Sequence, residues 1–244
     1  MLLGGVLQSD FPLYEAVPLA SPEEMAAFVT ARESAGITRF QLKVGNDPFD
    51  DAARTRAVVE AAAHDTSIVA DSNGGWNLRA AQVALREMAD LPIFIEQPCR
   101  ETRDCIFAMR HSALPLVLDE SIVTPTDAFD AKFEAGAVSI NIKISRVGGL
   151  TEAARMRDLM QHLDMMVSME DTWGGDVVSA AVSHLAASTR PENFQNASFM
   201  NDWTDGHVAG YQPRSVAGRG SAPTAPGLGI TVITDGLERI FEVS

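Results

Sequence analysis

Two amines and three carboxylates stand at positions where a repeating fold would bring them together. Seven polar residues, Lys43, Asp71, Glu96, Asp119, Lys143, Glu170 and Asn196, are separated by 28, 25, 23, 24, 27 and 26 residues. Each closes a short β-prone run and precedes a helix-prone stretch. Asp71, Glu96 and Asp119 end three successive runs, so neighbouring strands present three carboxylates to one point. An all-oxygen ligand set with no His or Cys beside it suits a hard divalent cation, Mg²⁺ first and Mn²⁺ as the alternative. Strand-end acids also cap following helices, but three in succession favour the cation.

Lys43 and Lys143 supply the other half of the chemistry. They close the second and sixth runs, which lie opposite each other in a ring of eight. A lysine beside a cation in a partly desolvated pocket is expected to have a lowered pKa, so its neutral amine can take a proton. Loss of a proton next to a carboxylate gives an enediolate, whose charge a bound cation offsets. A lysine on each face allows removal from one side and return from the other, which is epimerisation. With a leaving group on the β-carbon, the same intermediate eliminates it.

The elements that must hold these residues follow from the same rhythm. Strands are expected at 13–19, 39–44, 67–71, 93–96, 115–119, 138–143, 165–169 and 193–197. Helices are expected from Ser21, and over 48–63, 78–90, 101–111, 125–135, 150–162 and 175–188. Ser21 has the marks of a helix N-cap, with Pro22 at the first position and Glu23 and Glu24 in the first turn. Eight strands alternating with helices predict an α/β fold, a (β/α)₈ barrel of the TIM type. In such barrels the strand C-termini surround one active site. The expected organisation is a catalytic barrel over 1–204 and a C-terminal extension over 205–244. An open doubly wound sheet would be supported by Gly-x-Gly-x-x-Gly after the first strand, and none is present.

Composition narrows the partners. The chain has 244 residues, 46% of them hydrophobic, and a net charge of −14. That charge argues against nucleic acid and anionic membrane as partners. Cys99 and Cys105 have no second pair, so neither a disulfide framework nor a zinc site is indicated. No apolar run reaches the roughly 18 residues of a membrane span, and the first residues make a poor signal peptide. A soluble cytoplasmic protein with a small-molecule carboxylate substrate is the expectation.

The motifs resemble the barrel domain of the enolase superfamily, in its mandelate-racemase and muconate-lactonising branch. The family's Lys-x-Lys corresponds to Gln41-Leu42-Lys43, and its metal acids correspond to Asp71 in Asp-Ser-Asn-Gly-Gly-Trp, Glu96 in Ile-Glu-Gln-Pro and Asp119 in Leu-Asp-Glu-Ser. Its other lysine corresponds to Lys143, followed by Arg146-Val147-Gly148-Gly149. The similarity runs from about 13 to 230. It implies Mg²⁺, racemisation or epimerisation with dehydration as the alternative, and a possible homo-oligomer. Two departures stand out. Gln41 replaces the first lysine of Lys-x-Lys. The family's N-terminal α+β capping domain is expected to be missing, since the chain starts almost at the first strand. A third reading follows, a catalytically silent barrel.

The run from Met169 to Asp176 carries the substrate clue. Asp171 and Trp173 are candidates for holding a cationic nitrogen, Trp173 by a cation–π contact. Asn73 is a further candidate for substrate contact. The Glu-Asp-Thr-Trp-Gly-Gly run resembles family members acting on proline-type substrates, the hydroxyproline betaine epimerases and cis-3-hydroxyproline dehydratases. Packing of Trp173 under the next helix is the competing expectation. All five histidines fall in predicted helices or late loops, which favours the two-lysine arrangement.

Overall fold

A computed structural model of the protein describes residues 2–170 and 173–233. Eight parallel strands follow one another in chain order around one sheet: β1 Glu15–Val17, β2 Arg39–Lys43, β3 Ser67–Asp71, β4 Phe94–Glu96, β5 Leu116–Leu118, β6 Ser139–Lys143, β7 Met166–Glu170 and β8 Phe194–Ala197. The amide of Tyr14 donates to the carbonyl of Ala197 at 2.9 Å, and Leu13 bridges Ala197 in parallel, so the last strand meets the first. The expected (β/α)₈ barrel is the observed fold. A closed sheet has no exposed edge, which is why such short strands suffice.

Between the strands lie α1 Pro22–Glu33, α2 Pro48–Ala61, α3 Leu78–Glu87, α4 Thr102–Met109, α5 Pro125–Phe133, α6 Leu150–His162 and α7 Gly175–Ala187. Strand residues such as Leu42, Ala70, Ile95, Leu118, Ile142 and Val167 are fully buried beneath them. Sandwiched strands carry near-continuous apolar runs for this reason. Helix starts are set by short polar side chains. Ser21 and Glu24 form a reciprocal capping box, as do Thr124 and Asp127, while Asp47 and Asn77 cap α2 and α3. Each satisfies amides that the first helical turn leaves without partners.

Two features depart from the sequence reading. The first strand spans Glu15–Val17 rather than 13–19, and Phe11–Pro12 instead pairs antiparallel with Arg219–Gly220. The ribbon puts part of the 205–228 stretch back on the barrel, where Leu13 donates to the carbonyl of Gly218 at 2.8 Å. No helix among the described residues is long and apolar enough to cross a membrane.

The loops after β2 and β3 are locked together. Asp51, fully buried, accepts from the amides of Gly45 at 2.9 Å and Asn46 at 2.8 Å, and from the indole of Trp76 at 3.1 Å. Gly45 has φ +102°, and a Cβ there would stand 2.5 Å from the carbonyl oxygen of Ser72. Gly45→Ala is therefore expected to cost roughly 1–3 kcal/mol from backbone strain alone. Urea unfolding measures it, and an unchanged midpoint would show that the Ser72 carbonyl yields freely.

Candidate active site

The strand ends gather the charged residues. Lys43 and Asp71 are paired across β2 and β3, Asp71 and Glu96 across β3 and β4, and Lys143 and Glu170 across β6 and β7. Asp119 follows β5 by one residue. Asp71, Glu96, Asp119 and Glu170 are all buried. The structure thus brings the three acids and two lysines singled out by spacing to one rim, and adds Glu170 to them.

Each lysine faces carboxylates. The Nζ of Lys43 donates to Oδ2 of Asp71 at 2.6 Å. The Nζ of Lys143 donates to Oδ2 of Asp119 at 2.7 Å and lies 3.1 Å from Oε1 of Glu170. Arg146 closes on the other oxygen of Asp119 at 2.7 Å. The pKa directions differ from the lowering expected beside a cation. Burial pushes both lysines down, but the charges of Asp71, Glu96 and Glu170 on Lys43, and of Glu170 and Asp119 on Lys143, outweigh it and hold both ammoniums above their ordinary value.

The acids carry the complementary strain. Burial pushes the Asp71 carboxyl up to about 6 against the pull of Lys43. Burial and the charges of Asp71, Asp119 and Glu170 push Glu96 well above the carboxylate range. Among the described residues, the hydrogen-bond partners of Glu96 are two amides, Gln41 at 3.1 Å and Asn141 at 3.2 Å. Four buried carboxylates thus share one rim with three cationic side chains, Lys43, Lys143 and Arg146. This all-oxygen, charge-rich set fits a hard divalent cation. As the side chains stand, carboxylate oxygens of Glu96, Asp119 and Glu170 lie within 4.8 Å of one another, while Asp71 is turned to Lys43.

Below this rim the barrel interior is polar. Glu170 accepts hydrogen bonds from the Tyr14 hydroxyl and the Asn141 side-chain amide. Burial, with the charge of Glu170, pushes the Tyr14 phenol well above its usual value. Neither Tyr14 nor Asn141 stands at a strand end in the sequence pattern. Nothing local marks them, because each meets its partner only when the barrel closes.

The candidate substrate contacts separate. Asn73 has φ +48°, its amide donates to Asp71 at 2.8 Å, and its side chain donates to Glu120 at 3.0 Å. It braces the Asp71 loop. Trp173 is 67% exposed and meets Trp203 edge-on at 6.0 Å between ring centroids. Trp203 in turn meets Tyr14 edge-on at 6.5 Å, so an aromatic series runs from the barrel interior out to Trp173. Trp203 had no strand rhythm to flag it. Asp171 lies outside the described residues.

The family profile "Enolase C-terminal domain-like" matches residues 24–236. The chain is 41% identical over 234 residues to a cis-3-hydroxy-L-proline dehydratase from Roseibium aggregatum, covering 96% of this chain and 64% of that protein. It is 32% identical over 196 residues to an N-succinyl-L-Arg/Lys racemase from Bacillus cereus, covering 78% of this chain and 52% of the relative. A crystal structure of an enolase superfamily member from Roseovarius nubinhibens ISM, solved with magnesium, superposes with a TM-score of 0.92 at 28% identity, covering 98% of this chain and 65% of that one. The chain thus spans less than two thirds of the length of each.

Proposed function

Because the chain belongs to the enolase C-terminal domain-like family, we propose that it carries the proton-transfer machinery of an enzyme acting α to a carboxylate, most simply the racemisation or epimerisation of a proline-like or betaine-like amino acid. The observation that carries this reading is the placement of Lys43 and Lys143 on β2 and β6, half a barrel apart, with buried acids on the strands between them. The acids hold both lysines as ammoniums; with the charge of those acids offset by a bound cation, one lysine would be released as the neutral amine that takes the α-proton, and the electron pair moves into the carboxylate as an enediolate. The ammonium on the opposite face returns a proton to the α-carbon, which inverts it.

Asp71, Glu96 and Asp119 would hold Mg²⁺, with Mn²⁺ a substitute. A divalent cation there supplies positive charge against the charge that develops on the substrate carboxylate. Glu170 in place of Asp71 is a second arrangement, favoured by the 4.8 Å grouping. The chain's own residues orient the two lysines, each held on a buried acid, and exclude water from the floor of the site.

Dehydration is the second functional reading, supported by the 41% identity to a relative named as a dehydratase. Here the α-proton again goes to a lysine, the electron pair it leaves forms the double bond between the α- and β-carbons, and the bond from the β-carbon to its hydroxyl breaks with its own pair on oxygen. That oxygen takes a proton and leaves as water. One experiment separates the readings: incubation in D₂O with Mg²⁺ and L- or D-proline betaine, cis-3-hydroxy-L-proline or N-succinyl-L-arginine. Deuterium at the α-carbon with inversion supports epimerisation, and loss of water supports dehydration. A protein that exchanges no α-proton in any of them is a silent barrel.

Trp173 and Asp171 are proposed to meet the substrate nitrogen. An ammonium over the exposed indole gains roughly 0.5–2 kcal/mol, depending on desolvation. Trp173→Ala is expected to weaken binding of proline betaine about 2- to 30-fold, while an uncharged analogue loses less. Equal losses would mean that Trp173 only packs on Trp203.

A further inference from the structure

The two lysines are not held alike. Lys43 is 41% exposed and rests on Asp71 through one contact of 2.6 Å. Lys143 is 15% exposed and is gripped from two sides, by Asp119 at 2.7 Å and Glu170 at 3.1 Å. The grip from Glu170 is itself fixed. Its Oε2 accepts the Tyr14 hydroxyl, while its Oε1 accepts the Asn141 amide and faces Lys143. Asn141 also reaches Glu96 at 3.2 Å. Tyr14 is fixed in turn by β1 below and by the Trp203 ring at its edge. Both oxygens of Glu170 are therefore engaged, Oε2 by Tyr14 just ahead of β1 and Oε1 by Asn141 on β6 and by Lys143.

We propose that Tyr14 is a positioning residue for Lys143, acting through Glu170, so that only one of the two proton-transfer faces depends on the Tyr14 hydroxyl. This rests on the two-lysine reading above and deepens it. A lysine has four rotatable side-chain bonds, and a single contact leaves its amine free to sweep an arc. A second, immobile carboxylate reduces that arc to a point. Misplacement of a catalytic group by about 1 Å can cost on the order of 10²-fold. Among the described residues Lys43 has no second carboxylate at ion-pair distance, and although the charge of Glu170 reaches it through space, removal of the Tyr14 hydroxyl leaves that charge in place.

The test uses the full chain with Mg²⁺ in D₂O, and L- and D-proline betaine as probes. Lys143→Ala first identifies the enantiomer whose α-proton faces Lys143. Tyr14→Phe, which removes one oxygen, is expected to slow exchange of that enantiomer about 10- to 100-fold in kcat with KM little changed. Exchange of the other enantiomer stays within about two-fold. Should Tyr14→Phe fail to fold, Trp203→Leu, which removes the ring at the edge of Tyr14 and leaves both lysines and all four acids in place, is expected to give the same one-sided loss and decides the matter. Equal losses on both enantiomers, or no loss on either, overturn the positioning role while leaving the two-lysine reading intact. Exchange of neither enantiomer by the unsubstituted chain overturns that reading and the inference with it.

Discussion

Lys143→Ala is expected to lower turnover by at least the ~10²-fold that a lost general acid or base costs. Lys43→Ala is expected to do the same. The two variants differ in what they leave. With the lysines on opposite faces, each variant should still exchange the α-proton of the enantiomer that faces the surviving amine, while neither should interconvert the pair. Lys143→Ala also strips a counter-charge from Asp119 and Glu170, both buried, so a loss of stability would accompany the loss of chemistry. Lys143→Arg separates the two. Guanidinium keeps the positive charge against Asp119 and Glu170 but stays protonated at any working pH, so it cannot take a proton. That variant should unfold near the unsubstituted temperature and remain slow. Full activity in any of the three would refute the assignment of the lysines, and retained interconversion in Lys143→Arg would reduce Lys143 to an electrostatic role.

The rim of this site was legible because strand ends are punctuated. In a barrel strand the apolar run stops where the chain reaches the loop face, so Lys43, Asp71, Glu96 and Lys143 stand out as polar residues at a fixed spacing. Asp119 is found the same way although β5 itself ends at Leu118. Glu170 carries the same mark and its spacing puts it at the mouth, but nothing in Ser168-Met169-Glu170 tells what its carboxylate faces. Tyr14 was illegible for a different reason. It precedes β1, and its hydrogen-bond partner is 156 residues away, so the contact exists only through closure of the barrel. The ribbon of Phe11–Pro12 with Arg219–Gly220 is two residues long on each side, too short for any alternation of side chains to announce it. The lysine shifts run opposite to the expectation because spacing places groups without setting their partners. Both amines turned toward acids, and the charge of those acids outweighs burial.

The choice between Asp71 and Glu170 as the third cation ligand can be argued from what each would leave behind. Glu170 already satisfies the Tyr14 hydroxyl, the Asn141 amide and Lys143, all of them buried or nearly so. Turning it to a cation would strand those donors, at roughly 1–3 kcal/mol for each buried group left without a partner. Asp71 would release Lys43, whose side chain is 41% exposed and can be hydrated at once. Asp71 is therefore the ligand of lower cost. Mg²⁺ titration followed by calorimetry and thermal unfolding tests this. At 100 times its Kd, Mg²⁺ should stabilise the unsubstituted chain by about 2.7 kcal/mol. Glu96→Gln should abolish that gain while changing the stability measured in chelator little, because burial and its acidic neighbours already drive the Glu96 carboxyl toward its neutral form. Asp71→Asn should weaken Mg²⁺ strongly and Glu170→Gln only slightly. The reverse order would install Glu170 as the ligand, and a Mg²⁺ response that survives Glu96→Gln would remove the cation from this rim altogether.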